Sequence, residues 1–241
     1  MKKILIALIA VLSVASCKKH NNTEQPTPMV TISFDHRIVS GHSMVRSTSN
    51  DFLDIIEEQT PKVATVTLVN TDLNKTYTCE STESITIPVG NYTMSATAGG
   101  DANGNSKGHL KTPLIKSPSQ SIIVTSATDK ITLNMSYECY AIFALIDECS
   151  TCDIIWGAYS GDAQKIGKYY VAYAVDNVEV RLKPYADSNE FSATTIKFVT
   201  TYNPTDTFAE FGKYYVVHPT KIDATTSSFD IQFPTMQEGE I

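Results

Sequence analysis

The stretch "ATVTL", residues 64–68, places apolar side chains at every second position with a threonine between them. Successive side chains of an extended chain point to opposite faces, so Ala64, Val66 and Leu68 share one face and Thr65 and Thr67 the other. The alternation returns in Ile85-Thr86-Ile87, in Ile131-Thr132-Leu133-Asn134-Met135 and in Phe229-Asp230-Ile231-Gln232-Phe233. Each segment predicts a strand with one dry face and one wet face.

Outward from these segments, candidate strands bounded by turn residues number about seven between residues 63 and 136 and about as many between 140 and 233, at a spacing of about 8 to 12 residues. That spacing predicts an all-β chain of two consecutive antiparallel β-sandwich domains, each of about 80 to 100 residues. The domains are expected over 61–137 and 138–241, with the boundary near Ser136 to Cys139. No linker of Gly, Pro or Ser marks that boundary, which leaves a single larger sandwich as the alternative. Ahead of them, residues 31–60 form a lead-in with one short helix. Ser49-Asn50-Asp51 caps it, Phe52, Ile55 and Ile56 fall at i, i+3 and i+4, and Pro61 ends it. So little helix argues against a doubly wound nucleotide-binding fold.

The amino-terminal residues carry a different pattern. Met1-Lys2-Lys3 is basic, Ile4 to Leu12 is apolar, and Val14-Ala15-Ser16 is small and cleavable in character. The apolar run falls short of the about 20 residues that span a bilayer, so residues 1–16 are expected to be a signal peptide. Val14-Ala15-Ser16-Cys17 resembles the lipobox of bacterial lipoproteins. The resemblance implies that the Cys17 thiol is diacylated, the peptide bond before it cut and the new amino terminus acylated. Three acyl chains, at about 0.8 kcal/mol per buried CH2, make such an anchor effectively permanent.

Residues 17–30 are then a lipidated polar tether, with Pro26 and Pro28 and no periodicity. The implied location is the outer membrane. Surface lipoproteins of the Bacteroidota often carry an acidic run after this cysteine. Lys18-Lys19-His20 stands there instead and leaves the periplasmic face and the cell surface both open. Removing residues 1–16 moves the formal charge from 19 − 26 = −7 to 17 − 26 = −9. An acidic chain without clustered Lys and Arg argues against nucleic acid as a partner.

With Cys17 lipidated, Cys79, Cys139, Cys149 and Cys152 remain, an even number in an oxidising compartment. Cys79 with Cys139 and Cys149 with Cys152 is one candidate arrangement of disulfides, and four free buried thiols is the other reading. "DECSTCD", residues 147–153, has the CxxC spacing of a redox pair or of half a zinc site. It falls between strands rather than at a helix start, and the sequence has no second CxxC. "GGDANGNSKGH", residues 99–109, offers oxygen donors at Asp101, Asn103 and Asn105, but Ser106 and Thr112 stand where a calcium loop needs Gly and Glu. Its glycines predict a long, mobile hairpin loop. No metal and no cofactor is expected.

Catalytic patterns fail in the same way. "GAYSG", residues 157–161, has Tyr159 where a nucleophile elbow needs serine. His36, His42, His109 and His218 have no metal-ligand spacing, and Glu57-Glu58 is the one adjacent acidic pair on the expected helix. The chain is expected not to be an enzyme. The densest aromatic region joins Trp156 and Tyr159 to Tyr169, Tyr170 and Tyr173. Trp156 and Tyr159 are the candidate platform for stacking on a sugar ring, against the plainer reading of aromatic residues packed across a sheet. Gly167-Lys168-Tyr169-Tyr170-Val171 recurs as Gly212-Lys213-Tyr214-Tyr215-Val216. This echo predicts two strands entered from Gly-Lys turns.

"ITIPVGNYTMSATAGG", residues 85–100, resembles the P-x-G-x-Y-x-x-x-A strand of Bacteroidota envelope lipoproteins with immunoglobulin-like or transthyretin-like sandwiches, among them the fimbrillin-type adhesion proteins. Gly90 makes the turn, and Tyr92, Met94, Ala96 and Ala98 fall on one face. "CYAIFALID", residues 139–147, fits the same two-sandwich plan. The resemblance implies a membrane-anchored, non-catalytic envelope protein with a structural, adhesive or fimbria-assembly role and other envelope or fimbrial proteins as partners. For a polymerising pilin of that group it implies assembly by strand exchange after trimming at an arginine, for which Arg37 and Arg46 are the candidates, but a minor-subunit, anchor or simple lipoprotein role is expected rather than a major pilin. The alternative is a glycan-binding accessory lipoprotein of an outer-membrane uptake system.

Overall fold

The computed structural model describes residues 27–39, 51–188, 190–202, 205–221 and 236–240. Cys17, the signal peptide, most of the tether, His42, Arg46 and the strand expected over 229–233 lie outside the described residues.

The chain runs through β1 (Met29–Ile38), α1 (Asp51–Gln59), β2 (Thr65–Asn70), β3 (Lys75–Glu80), β4 (Ile85–Pro88), β5 (Gly90–Gly99), β6 (Ala102–Asn103), β7 (Ser106–Leu110), β8 (Leu114–Val124) and β9 (Lys130–Tyr137). It continues through β10 (Tyr140–Leu145), β11 (Thr151–Trp156), β12 (Tyr159–Asp162), β13 (Gln164–Ile166), β14 (Tyr169–Ala174), β15 (Val178–Lys183) and β16 (Phe191–Ser192). The last elements are β17 (Thr194–Val199), β18 (Thr207–Phe208), β19 (Lys213–Val217), β20 (Thr220–Lys221) and β21 (Met236–Glu240). The fold is all-β, two sandwiches in succession.

The first sandwich has the strand order β3-β2-β5-β8-β9-β1-β4. β8 and β9 touch at one end, through Ile115 with Tyr137 and Lys116 with Ser136, and then part. Side chains from both limbs meet in one core, with Val66, Leu68, Tyr92 and Met94 against Ile32, Ile87, Leu133 and Met135. Tyr92, Met94, Ala96 and Ala98 are all buried, and the Tyr92 hydroxyl donates to the Pro88 carbonyl at 2.7 Å. That bond explains the P-x-G-x-Y spacing: the tyrosine clamps the turn that precedes its own strand.

The second sandwich stacks the layer β21-β19-β10-β14-β7-β6 on the layer β12-β11-β15-β17-β18. Tyr140, Ile142, Tyr170 and Ala172 of the first layer face Ile154, Val180, Leu182 and Phe198 of the second. β14 is buried at every position from Tyr169 to Ala174, and β10 at five of its six. Strands covered on both faces need continuous apolar runs rather than alternation. The second cover is a third core, in which Phe143, Tyr169, Val171, Tyr214 and Val216 pack under Ile56 and Phe52 of α1 together with Leu110 of β7.

Three findings go beyond the expected layout. The pairings β1 with β9, β10 with β19 and β17 with β18 are parallel, so the sandwiches are mixed rather than wholly antiparallel. β1 and α1 of the lead-in belong to packed structure, the strand in the first core and the helix on the second sandwich. The hairpin β6–β7, expected as a mobile loop, pairs with β14 and so crosses the expected boundary at 137/138. Gly167 and Gly212, with φ of 57° and 79°, make the turns into β14 and β19, which flank β10 on either side. Only glycine enters that left-handed region without strain. The repeated letters then place Tyr169 and Tyr214 in the third core and Tyr170 and Tyr215 in the sandwich core.

Candidate functional site

Of the residues singled out from sequence, Trp156, Tyr159, Asn103 and His109 come together at the junction of the two sandwiches, where β6–β7 meets the hairpin β11–β12. Gly157 and Ala158 close that second hairpin, which sets Trp156 opposite Tyr159 and Asp153 opposite Asp162. The Trp156 and Tyr159 rings stack at 5.9 Å with planes 16° apart. The indole also lies on the backbone of Gly108, where a Cβ would come within 2.3 Å of Cδ1 and 2.6 Å of Nε1. Its N–H donates to the Asp176 carboxylate at 3.1 Å. Trp156 is thus half-buried and engaged by its neighbours, while Tyr159 is 46% exposed.

Beside Gly108, His109 is fully buried on β7. The Asn103 amide nitrogen lies 3.4 Å from each ring nitrogen and donates to the Asp162 carbonyl at 3.1 Å. Burial holds the His109 pKa down at about 4. Across β11 and β12, burial raises the Asp153 carboxyl first, and its hydrogen bond and charge contact with Asp162 raise it further. Arg181 is opposite Asp153 on β15 but pairs with Glu179 at 3.4 Å.

All four described cysteines are free thiols. Cys79 sits on the edge strand β3 against the first core, whereas Cys139 is in the core beneath α1. Cys149 and Cys152 are both buried in the core of the second sandwich. Burial pushes the Cys139 and Cys149 thiols up to about 12 and raises Cys152 as well. Such thiols are poor nucleophiles and poor metal ligands. Among the described residues no group of three or more His, Cys, Asp or Glu is placed to hold a metal ion. Ser160 lies within strand β12. His218 meets Glu148 at 2.6 Å, a pair that no sequence spacing announces because the partners are 70 residues apart. The Asp153–Asp162 pair, by contrast, follows from counting outward from the Gly157-Ala158 turn. Gly108 and His109 carry no such signal.

No family model and no curated protein matches the sequence. Among solved structures, the chain is similar to the tip fimbrial protein Mfa3 from Porphyromonas gingivalis with a C-terminal truncation. That match has a TM-score of 0.48 and 6% identity, over 89% of this chain and 100% of that one. It is also similar to a candidate cell adhesion protein from Bacteroides uniformis (TM-score 0.45, 7% identity, 75% and 92% covered). A third similarity is to candidate polysaccharide-binding proteins from Bacteroides thetaiotaomicron (TM-score 0.42, 10% identity, 88% and 98% covered).

Proposed function

We propose that this chain is a non-catalytic lipoprotein of the outer membrane, anchored through Cys17, with a structural or adhesive role in a fimbria-like assembly. The third core is the observation that supports this reading best. α1 and β6–β7 cover the second sandwich through Phe52, Ile56 and Leu110, and Leu114 of β8 and Tyr137 of β9 bring the first sandwich into the same core. A body joined in this way suits a rigid building or adhesive part better than a protein that opens around a substrate. The anchor is tested by Cys17→Ala, which is expected to abolish membrane fractionation and incorporation of labelled fatty acid. A variant that stays acylated and membrane bound would overturn it.

In a polymerising rather than a permanently anchored subunit, released from Cys17 by cleavage, β1 is the element suited to strand exchange. It follows the tether, contributes the fully buried Ile32 to the first core and carries the exposed Arg37 near its end. Cleavage after Arg37 is expected to open a groove along β4 and β9. A synthetic peptide of residues 29–37, added to the trimmed protein, should restore the thermal stability of the intact chain. Trimmed protein that neither loses stability nor binds the peptide would count against exchange.

The glycan-binding alternative rests on the exposed ring of Tyr159. A glycan array on the soluble chain, paired with a pull-down from envelope extracts, separates the two readings. Retained sugar favours the alternative, and co-purified envelope subunits favour the assembly role.

A further inference from the structure

The hairpin β6–β7 leaves the first sandwich between β5 and β8 and completes the edge of a sheet in the second. It is held there from β14 on one side and from β11, β12 and β13 on the other. Leu110 and His109 stand opposite Tyr173 and Ala174 of β14, and the Val175 N–H donates to the Gly108 carbonyl at 3.1 Å. Gln164 donates to the Lys111 carbonyl at 2.6 Å, Asn103 reaches the Asp162 carbonyl, and the Trp156 indole covers Gly108. In the middle of these contacts His109 has 0% exposure.

Burial disfavours the charged form of an imidazole, so this ring stays neutral while the hairpin is seated. The bond from Asn103 to the Asp162 carbonyl fixes the orientation of the amide, so it turns its N–H groups toward the ring. The charged groups on the surrounding elements are Asp162 of β12, Asp153 opposite it on β11, and Asp176, which the Trp156 indole binds beyond the end of β14. Lys107 and Lys111 lie on the hairpin's own segment, and Tyr173 of β14 titrates well above the ordinary tyrosine range because it is buried.

We propose that β6–β7 is an acid-released clasp between the two sandwiches, with His109 as its trigger. One proton from solvent adds to the ring, and the resulting charge is hydrated when β7 lifts from β14. The seated hairpin lowers the His109 pKa, so its stability is full above the ordinary value, falls as the pH drops through 6.5 toward 4, and changes no further below that. Over that interval the ratio of open to seated hairpin rises by up to 10^(6.5 − 4), about 300-fold. Release uncovers the edge of β14 and the indole of Trp156.

Amide hydrogen exchange on the whole chain between pH 7 and pH 4, corrected for the intrinsic pH dependence of exchange, tests the clasp. The opening constant of the β7 amides is expected to rise by up to about 300-fold, while amides of β2 and β10 stay protected. Emission from Trp156, the single tryptophan of the sequence, is expected to shift to the red over the same range. His109→Gln, which cannot charge, is expected to give a flat profile.

Should that variant fail to fold, the double variant Asp153→Asn, Asp162→Asn carries the test. Its profile persists if His109 is the trigger and vanishes if the carboxylate pair is. A flat profile in the unaltered chain, a rise shared by all strands, or the same rise in His109→Gln would overturn the proposal.

Discussion

At the scale of single residues, Asp153 and Asp162 form a like-charged pair directly across two strands, an arrangement that costs stability. Asp153 has its carboxyl raised by burial and then by Asp162. A carboxyl raised in the folded state contributes stability below its ordinary value and loses it as the pH rises through the raised one. Asp162→Asn is therefore expected to stabilise the chain at pH 7 by about 0.5 to 1 kcal/mol and by less at pH 4, read from denaturant midpoints. The thiols give a second expectation. Cys79, half-exposed on its edge strand, should react slowly with iodoacetamide in the native state, whereas Cys139, Cys149 and Cys152 should react only after unfolding. Native modification of Cys149 or Cys152 would show that the turn before β11 opens.

At the scale of elements, α1 and the β6–β7 hairpin are the pieces whose roles differ most from their sequence character. The spacing of Phe52, Ile55 and Ile56 announces an amphipathic helix, and an acidic first turn at Asp51 and Asp54 suits its start. What that apolar face covers is a sheet whose strands lie from about 90 to about 160 residues further on, and no local pattern encodes such a contact. The glycines of residues 99–109 have the composition of a loop, and the pairing of β7 with β14 overrides it.

Gly108→Ala tests this docking at neutral pH. The new methyl would lie within 2.3 Å of the indole, so Trp156 is expected to move and its emission to shift to the red. Ile56→Ala, at a site 1% exposed, is expected to cost about 3 kcal/mol. Unchanged stability in that variant would mean that α1 is not part of the cooperative unit.

For the whole molecule, the shared third core predicts that the two sandwiches unfold together, as one calorimetric transition in which van't Hoff and calorimetric enthalpies agree. It also predicts the failure of a natural-looking dissection. A fragment of residues 138–241 lacks α1 and β7, so Phe143, Tyr169, Tyr214 and Val216 would lose their cover. Such a fragment is expected to bind a hydrophobic dye and to aggregate, checked by fluorescence and size exclusion.

The all-β architecture and the alternating strands of the first sandwich were legible because their pattern is local: "ATVTL" buries Ala64, Val66 and Leu68 as its period demands. The weld between the sandwiches was not legible, since α1 and β7 reach partners far along the chain.

β1 also has a mechanical consequence. Residues 29–32 pair with β4 on one side, and residues 33–38 pair with β9 on the other. A pull on the chain ahead of Met29 acts along the strand, so these hydrogen bonds share the force in shear instead of parting one after another like a zipper. The first strand would then behave as a mechanical fuse of the chain, holding until the whole row yields at once. Turning the pull across the strand, so that Ile38 is drawn sideways from β9, is expected to rupture the row at a much smaller force.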